Sequence, residues 1–293
     1  MKRGGFIGTA LAAAAAAVLP RGARGQELEQ QISDLLAQGD GTFGVFARTM
    51  ATGPALYAIN AYERFPCAST IKVLVMTTAF YAEERAPGAL AERVRFDRAR
   101  LIGGSDYMQT LPDGERLRVG DLIRPMILYS DNTAANMLMS HFGMELINAV
   151  GVQAGMLDTH LARLFIDVPW KVHDLNVTTP YDMATLLYQI EYGAREAVPT
   201  IVQPRHCRHM VGLMLHQQDR DKIPAGLPPG TPVADKDGEL DGTRNDAGIV
   251  EPFGDSPFIL SIFTKGIGDY ARCLHTIRRV ARLTYDSVAG SDL

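Results

Sequence analysis

The chain has 293 residues, of which 46% are apolar and 8% aromatic, enough to bury a full core and to exclude wholesale disorder. Its formal charge is −4; the first 25 residues hold Lys2, Arg3, Arg21 and Arg24 and no acid, so the remainder is more acidic still. An acidic chain with no basic block longer than two residues excludes nucleic acid as the main partner, because phosphate binding needs clustered Lys and Arg.

Residues 1–25 read as an export signal. Lys2-Arg3 form a charged start, Phe6 to Leu19 an alanine-rich apolar stretch, and Ala23-Arg24-Gly25 offers the small residues a signal peptidase reads. The apolar run is shorter than the ~20 residues a spanning helix needs. The expectation is a periplasmic or secreted protein, cleaved near Gly25, with no stable membrane insertion afterwards. Cys67, Cys207 and Cys273 are too few for a disulfide scaffold and form no C-x-x-C pair, which leaves room for one bridge at most.

Leu28, Ile32, Leu35 and Leu36 recur at helical spacing up to Gly39-Asp40-Gly41. Thr42 to Arg48 and Ala55 to Ile59 read as a hairpin about a turn at Thr52-Gly53-Pro54. Helical patterns follow over Thr70–Glu84, Val119–Leu128, Ala134–His141, Glu145–Ala154, Pro180–Tyr192 and His206–Gln217. Three late strands, Thr231–Asp237, Arg244–Val250 and Phe258–Thr264, precede an amphipathic helix over Tyr270–Leu283. Two early strands and three late ones pair most simply into one sheet. The fold class predicted is therefore α/β, of the α+β type: a five-stranded antiparallel sheet flanked by N- and C-terminal helices, with an inserted all-helical domain. The domains expected are residues 26–66 plus 218–293 for the sheet and 67–217 for the helices, with the active site at their interface.

Ser69-Thr70-Ile71-Lys72 opens the first long helix. A serine there meets free backbone N–H groups, and Lys72 lies one turn on along the same face. Burial would lower the lysine pKa far enough for it to take the serine's proton. By itself Ser-x-x-Lys is a weak signal that arises often by chance, and a capping serine followed by a solvated lysine is the simpler explanation. Ser130-Asp131-Asn132 follows an apolar helix, and Lys236-Asp237-Gly238 ends a late strand; each alone reads as punctuation. In this order and on these elements, the three resemble the Ser-x-x-Lys, Ser-Asp-Asn and Lys-Thr-Gly set of penicillin-interacting serine enzymes. More closely, the chain resembles a class A serine β-lactamase. The likeness runs through Arg64-Phe65-Pro66, Ser69 to Val73, Ser130 to Asn136, Thr178-Thr179-Pro180, Asp235-Lys236 and Gly242 to Asp246.

The resemblance implies Ser69 as acylated nucleophile, Lys72 as base, Ser130 as proton carrier to the lactam nitrogen and Asn132 as a ligand for the substrate amide. It further implies Lys236 as attractor of a substrate carboxylate, with Gly238 beside it, an oxyanion hole from the N–H groups of Ser69 and Glu239, and Arg244 behind the carboxylate. Tyr107 corresponds to an aromatic wall of the cleft. No cofactor and no metal are implied; the partner is a small acyl compound and the protein a monomer.

Two departures stand out. The family's Ω-loop glutamate, which activates the deacylating water, is replaced by Val168 when Val168-Pro169 is set against Glu-Pro. The nearest carboxylates are Asp167 and Asp174, each explained as well by a loop ion pair or cap. Asp237 stands where the family has a hydroxyl, and would repel an anionic β-lactam unless Lys236 and Arg244 neutralise it. Three functions stay open on the sequence: a β-lactam hydrolase of slow turnover, a serine enzyme for another ester or amide, or a penicillin-binding protein that acylates without turnover. His206 and His209 lack further ligands for a metal.

Overall fold

The computed structural model describes residues 21–51, 54–165 and 176–290. Helix α1 (Arg21–Ala37) precedes the hairpin β1 (Thr42–Thr49) and β2 (Tyr57–Ile59), then β3 (Phe65–Pro66). Helix α2 (Lys72–Arg85), strands β4 (Arg93–Arg95) and β5 (Arg116–Arg118), and helices α3 (Val119–Leu128), α4 (Asn132–Phe142) and α5 (Met144–Gln153) follow. After β6 (Val177–Thr178) come α6 (Pro180–Glu196) and α7 (Pro204–Met214); β7 (Val233–Leu240), β8 (Thr243–Val250), β9 (Phe258–Lys265) and α8 (Tyr270–Ala289) close the chain.

The five longer-range strands make one antiparallel sheet in the order β2-β1-β9-β8-β7, the sheet the sequence predicts. Its two faces follow the period-2 alternation of the strands. Val45, Ala47, Val250, Leu260 and Ile262 meet Leu28 and Ile32 of α1 and Ile277 and Val280 of α8. Phe46, Ala247, Ile249, Ile259 and Phe263 face the other way, into an apolar cluster continuous with Leu74 and Met76 of α2, Leu138 of α4 and Ile190 of α6. The helical block and the inner sheet face thus share one core, and the candidate site lies where the N-terminus of α2 meets β7.

Helix α1 begins before the cleavage position read at Gly25, and a chain starting at Gln26 would keep its buried residues Leu28, Ile32 and Leu36. Among the described residues no helix is long and apolar enough to cross a membrane. Strand β7 runs beyond the predicted stop at Asp237 to Leu240, and the turn falls at Asp241-Gly242, where Gly242 takes a φ of 69°. Periodicity misses two short pairings, β3 with β6 and β4 with β5. The three cysteines are buried and free, so the single bridge the count allowed is not formed. His206 and His209 pack on Phe80, with His206 Nδ1 2.7 Å from Glu84 Oε1.

Candidate active site

Three segments converge on Lys72. The first is the turn that carries Ser69. Pro66 ends β3, the Cys67 N–H donates to the Asn176 carbonyl at 2.9 Å, and Ala68–Ile71 form a 3-10 turn before α2 starts at Lys72. The α-helix therefore opens later than the Thr70 start expected, and Ser69 stands in the tighter turn. Ala68 takes the left-handed region, φ 47°, a conformation that costs a non-glycine residue free energy and marks constrained backbone. Lys72 Nζ lies 2.8 Å from Ser69 Oγ.

The second segment is the break between α3 and α4. Ser130 also adopts a positive φ, 55°, which turns its carbonyl and hydroxyl onto Lys72 at 2.6 and 3.1 Å. Asn132 Oδ1 accepts from Lys72 at 2.7 Å while its Nδ2 donates to the Gly103 carbonyl. Asp131 is fully buried and locks the break: Oδ1 caps α4 at the Ala134 N–H and Oδ2 accepts from the Met108 N–H, both 2.9 Å. Asp131→Ala strands both donors, and unfolding in urea should show a loss of about 2–4 kcal/mol. A loss below about 1 kcal/mol would show that water replaces the carboxylate.

Lys72 is fully buried, and burial, followed by the nearby charge of Lys236, holds its ammonium well below the ordinary lysine range. A buried lysine of this kind reaches its neutral form at far lower pH than a solvated one, and the neutral amine is within reach of two serine hydroxyls. Among the described residues Phe165 also packs on it, with its ring centroid 4.8 Å from Nζ. Asn136 holds Phe165 at both backbone ends: Nδ2 donates to its carbonyl and Oδ1 accepts from its N–H, both 2.9 Å. Asp167, Val168 and Asp174 lie outside the described residues.

The third segment is β7. Gly238 passes so close to the turn carrying Ser69 that an added Cβ would lie 2.8 Å from the Ser69 nitrogen and 3.1 Å from the Cys67 oxygen. Only glycine allows this approach, which sets the strand carrying Glu239 against Ser69. Lys236 Nζ bonds Asp237, Oδ1 at 2.5 Å and the carbonyl at 3.0 Å. Asp237 is buried; Oδ1 also accepts from Gln217 Nε2 at 2.7 Å, and Oδ2 lies 3.5 Å from Lys222 Nζ. Burial alone would raise its pKa, but Lys236 and then Lys222 outweigh burial and hold the carboxyl below its ordinary range. The cations that neutralise Asp237 are thus Lys236 and Lys222. Arg244 does not reach it: its guanidinium donates to the carbonyls of Leu240 and Thr243, lies over the Tyr270 ring at 3.8 Å, and stands 3.5 Å from Glu239.

At the rim, Tyr107 is half-exposed and lies parallel to Tyr129, ring centroids 6.1 Å apart. Sequence reasoning missed Tyr129, Phe165, Gln217 and Lys222. Tyr129 adjoins Ser130 and was findable by adjacency; Asp219-Arg220-Asp221-Lys222 has the composition of a solvated loop, and nothing in it announces a lysine that is 1% exposed.

The grouping sets one buried amine against two serine hydroxyls, an arrangement suited to acyl transfer through a serine ester. A family model described as "Beta-lactamase enzyme family" matches residues 27–288. A beta-lactamase of Streptomyces fradiae is 31% identical over 272 residues, 88% of this chain and 86% of that protein. The solved structure of PBP-A superposes with a TM-score of 0.79 at 26% identity, over 91% of this chain and 97% of that one. A mutant of PBP-A, solved as an acyl-enzyme complex with penicillin G, gives 0.77 at 25% identity, over 92% and 97%. With sequence, fold and the order of its motifs in agreement, the chain belongs to the beta-lactamase enzyme family.

Proposed function

We propose that the protein opens β-lactam rings by forming an acyl-enzyme on Ser69, with hydrolysis of that ester as the slower half-reaction. The observation that carries the proposal is the buried Lys72 amine within 2.8 Å of Ser69 Oγ and 3.1 Å of Ser130 Oγ. Ser69 Oγ bonds to the lactam carbonyl carbon as its proton passes to neutral Lys72. The C–N bond breaks, and the nitrogen takes its proton from Ser130 Oγ, which recovers one from Lys72. The N–H groups of Ser69 and Glu239 receive the oxyanion. Asn132 and Lys236 line the substrate side, and Tyr107 one wall. Water then adds to the ester carbonyl, and Ser69 Oγ leaves with a proton.

A second reading, a penicillin-binding protein that stays acylated, is favoured by Phe165, since a hydrocarbon ring beside Lys72 takes no proton from water. Both readings place the protein outside the cytoplasm after removal of residues 1–25, as a monomer acting on a small acyl compound. Ser69→Ala tests them together. It is expected to abolish covalent labelling by a fluorescent penicillin, read by intact mass, and turnover of a chromogenic cephalosporin, with an unchanged melting curve. Full labelling of the variant would refute Ser69 as the nucleophile. Measured turnover by the parent then separates hydrolase from a protein that acylates only.

A further inference from the structure

Lys222 belongs to no motif of the family resemblance, yet its ammonium is buried and lies within ion-pair distance of four carboxylates. Nζ stands 2.8 Å from Asp221, 2.9 Å from Glu239, 3.2 Å from Asp219 and 3.5 Å from Asp237. Burial works against its charge, but Asp237 and the bonds to Asp221 and Glu239 outweigh burial and hold it protonated. Asp237 in turn is engaged through both oxygens: Lys236 and Gln217 on Oδ1, Lys222 on Oδ2. A carboxylate held by two ammonium groups and an amide is what a substrate anion would become on binding beside Lys236. Here the chain supplies that anion itself.

We propose that the anion seat beside Lys236 is filled from within by Asp237, with Lys222 as the second cation that neutralises it there, so that the preferred acyl donor carries no carboxylate at that end. The inference rests on the reading of Ser69 as nucleophile. A substrate carboxylate entering this end finds Lys236 already paired with Asp237 at 2.5 Å, and must lose water for a cation it has to share. The part-exposed carboxylates of Asp219, Asp221 and Glu239 add like charge at the same rim. Arg244, the cation expected behind the substrate carboxylate, is committed to Leu240, Thr243, Tyr270 and Glu239. The substrate class that fits is a lactam, ester or amide that is neutral next to the scissile bond.

The test uses the full-length protein with benzylpenicillin and its methyl ester, which share the ring and differ in the charge. Second-order acylation of Ser69, followed by intact mass, is expected to be at least about tenfold faster for the ester. Asp237→Asn and Asp237→Thr should reverse that preference by raising the rate of the free acid. Lys222→Gln, which leaves Asp237 with one cation fewer, should widen it, and Lys222→Arg should restore the parent ratio. A purely structural role for Lys222 would slow both compounds alike and leave their ratio fixed, which overturns its assignment. A free acid that reacts as fast as the ester in the parent overturns the filled seat. No adduct on Ser69 from either compound refutes the β-lactam reading, and this inference with it.

Discussion

Mixed with saturating β-lactam, the protein is expected to give a stoichiometric burst of product, then a slow steady state in which nearly all of Ser69 carries an acyl group. Acylation draws on Lys72, Ser130 and the backbone donors beside Ser69, with the lysine amine in hydrogen-bond reach of both serine hydroxyls. Deacylation needs a base for water, and among the described residues the group packed on Lys72, Phe165, presents a ring 4.8 Å from Nζ that accepts no proton. A positioned general base contributes ~10²–10⁴-fold, so Phe165→Glu should speed release of the acyl group by roughly that factor. Asn136 clamps both backbone ends of residue 165 and fixes where the new carboxylate starts. Phe165→Leu is the control, equal in its inability to accept a proton. Rapid-quench mass spectrometry reads the acylated fraction of each. If the parent is found mostly free during fast turnover, or if the leucine and glutamate variants release at equal rates, Phe165 does not set the slow step.

The second large effect concerns backbone. Gly238→Ala places a methyl group 2.8 Å from the Ser69 nitrogen, 3.0 Å from Ala68 Cβ and 3.1 Å from the Cys67 oxygen. None of these three atoms lies at the end of a flexible side chain, so the strand or the nucleophile turn has to move. Overpacking of this kind costs about 1–3 kcal/mol in stability. The larger consequence is for the reaction, because the N–H groups of Ser69 and Glu239 lie on the two segments being pushed apart, and losing one oxyanion donor costs ~10²–10³-fold. Stopped-flow acylation of a folded Gly238→Ala protein should therefore fall by about that factor while the melting temperature drops modestly. Undiminished acylation would place the oxyanion elsewhere.

The sheet and the long helices were legible because apolar spacing alone specifies them. Strand β9 reads Phe258-Ile-Leu-Ser-Ile-Phe, and α8 buries Cys273, Ile277, Val280 and Ala281 at helical intervals. The same rule fell short on β7, where Asp235, Lys236 and Asp237 are all buried inside the strand, Asp235 paired with Arg220 and Lys236 with Asp237, instead of meeting solvent. The turn signal of Gly238 ends the expected strand at Asp237, three residues early, and a pattern that equates charge with exposure hides Lys222. The motifs around Ser69 and Ser130 were legible as residues, but not their geometry: the left-handed φ of Ala68 and Ser130 comes from tertiary clamping rather than local preference. Phe165 escaped because its place is set by Asn136, 29 positions away, and no local signal records that bond. Strands β3 and β6, two residues each, are too short for any periodicity.

The three free cysteines have a practical side. Burial raises the thiol pKa of Cys67, Cys207 and Cys273 alike, which keeps them protonated and out of reach of alkylating reagents and mild oxidants. The molecule can therefore be refolded without a redox couple, since no native pairing has to be found. It also provides a silent background for spectroscopy: a single cysteine introduced at an exposed position such as Leu157 would be the one thiol to take a dye or spin label, and local motion becomes measurable without stripping the native residues first.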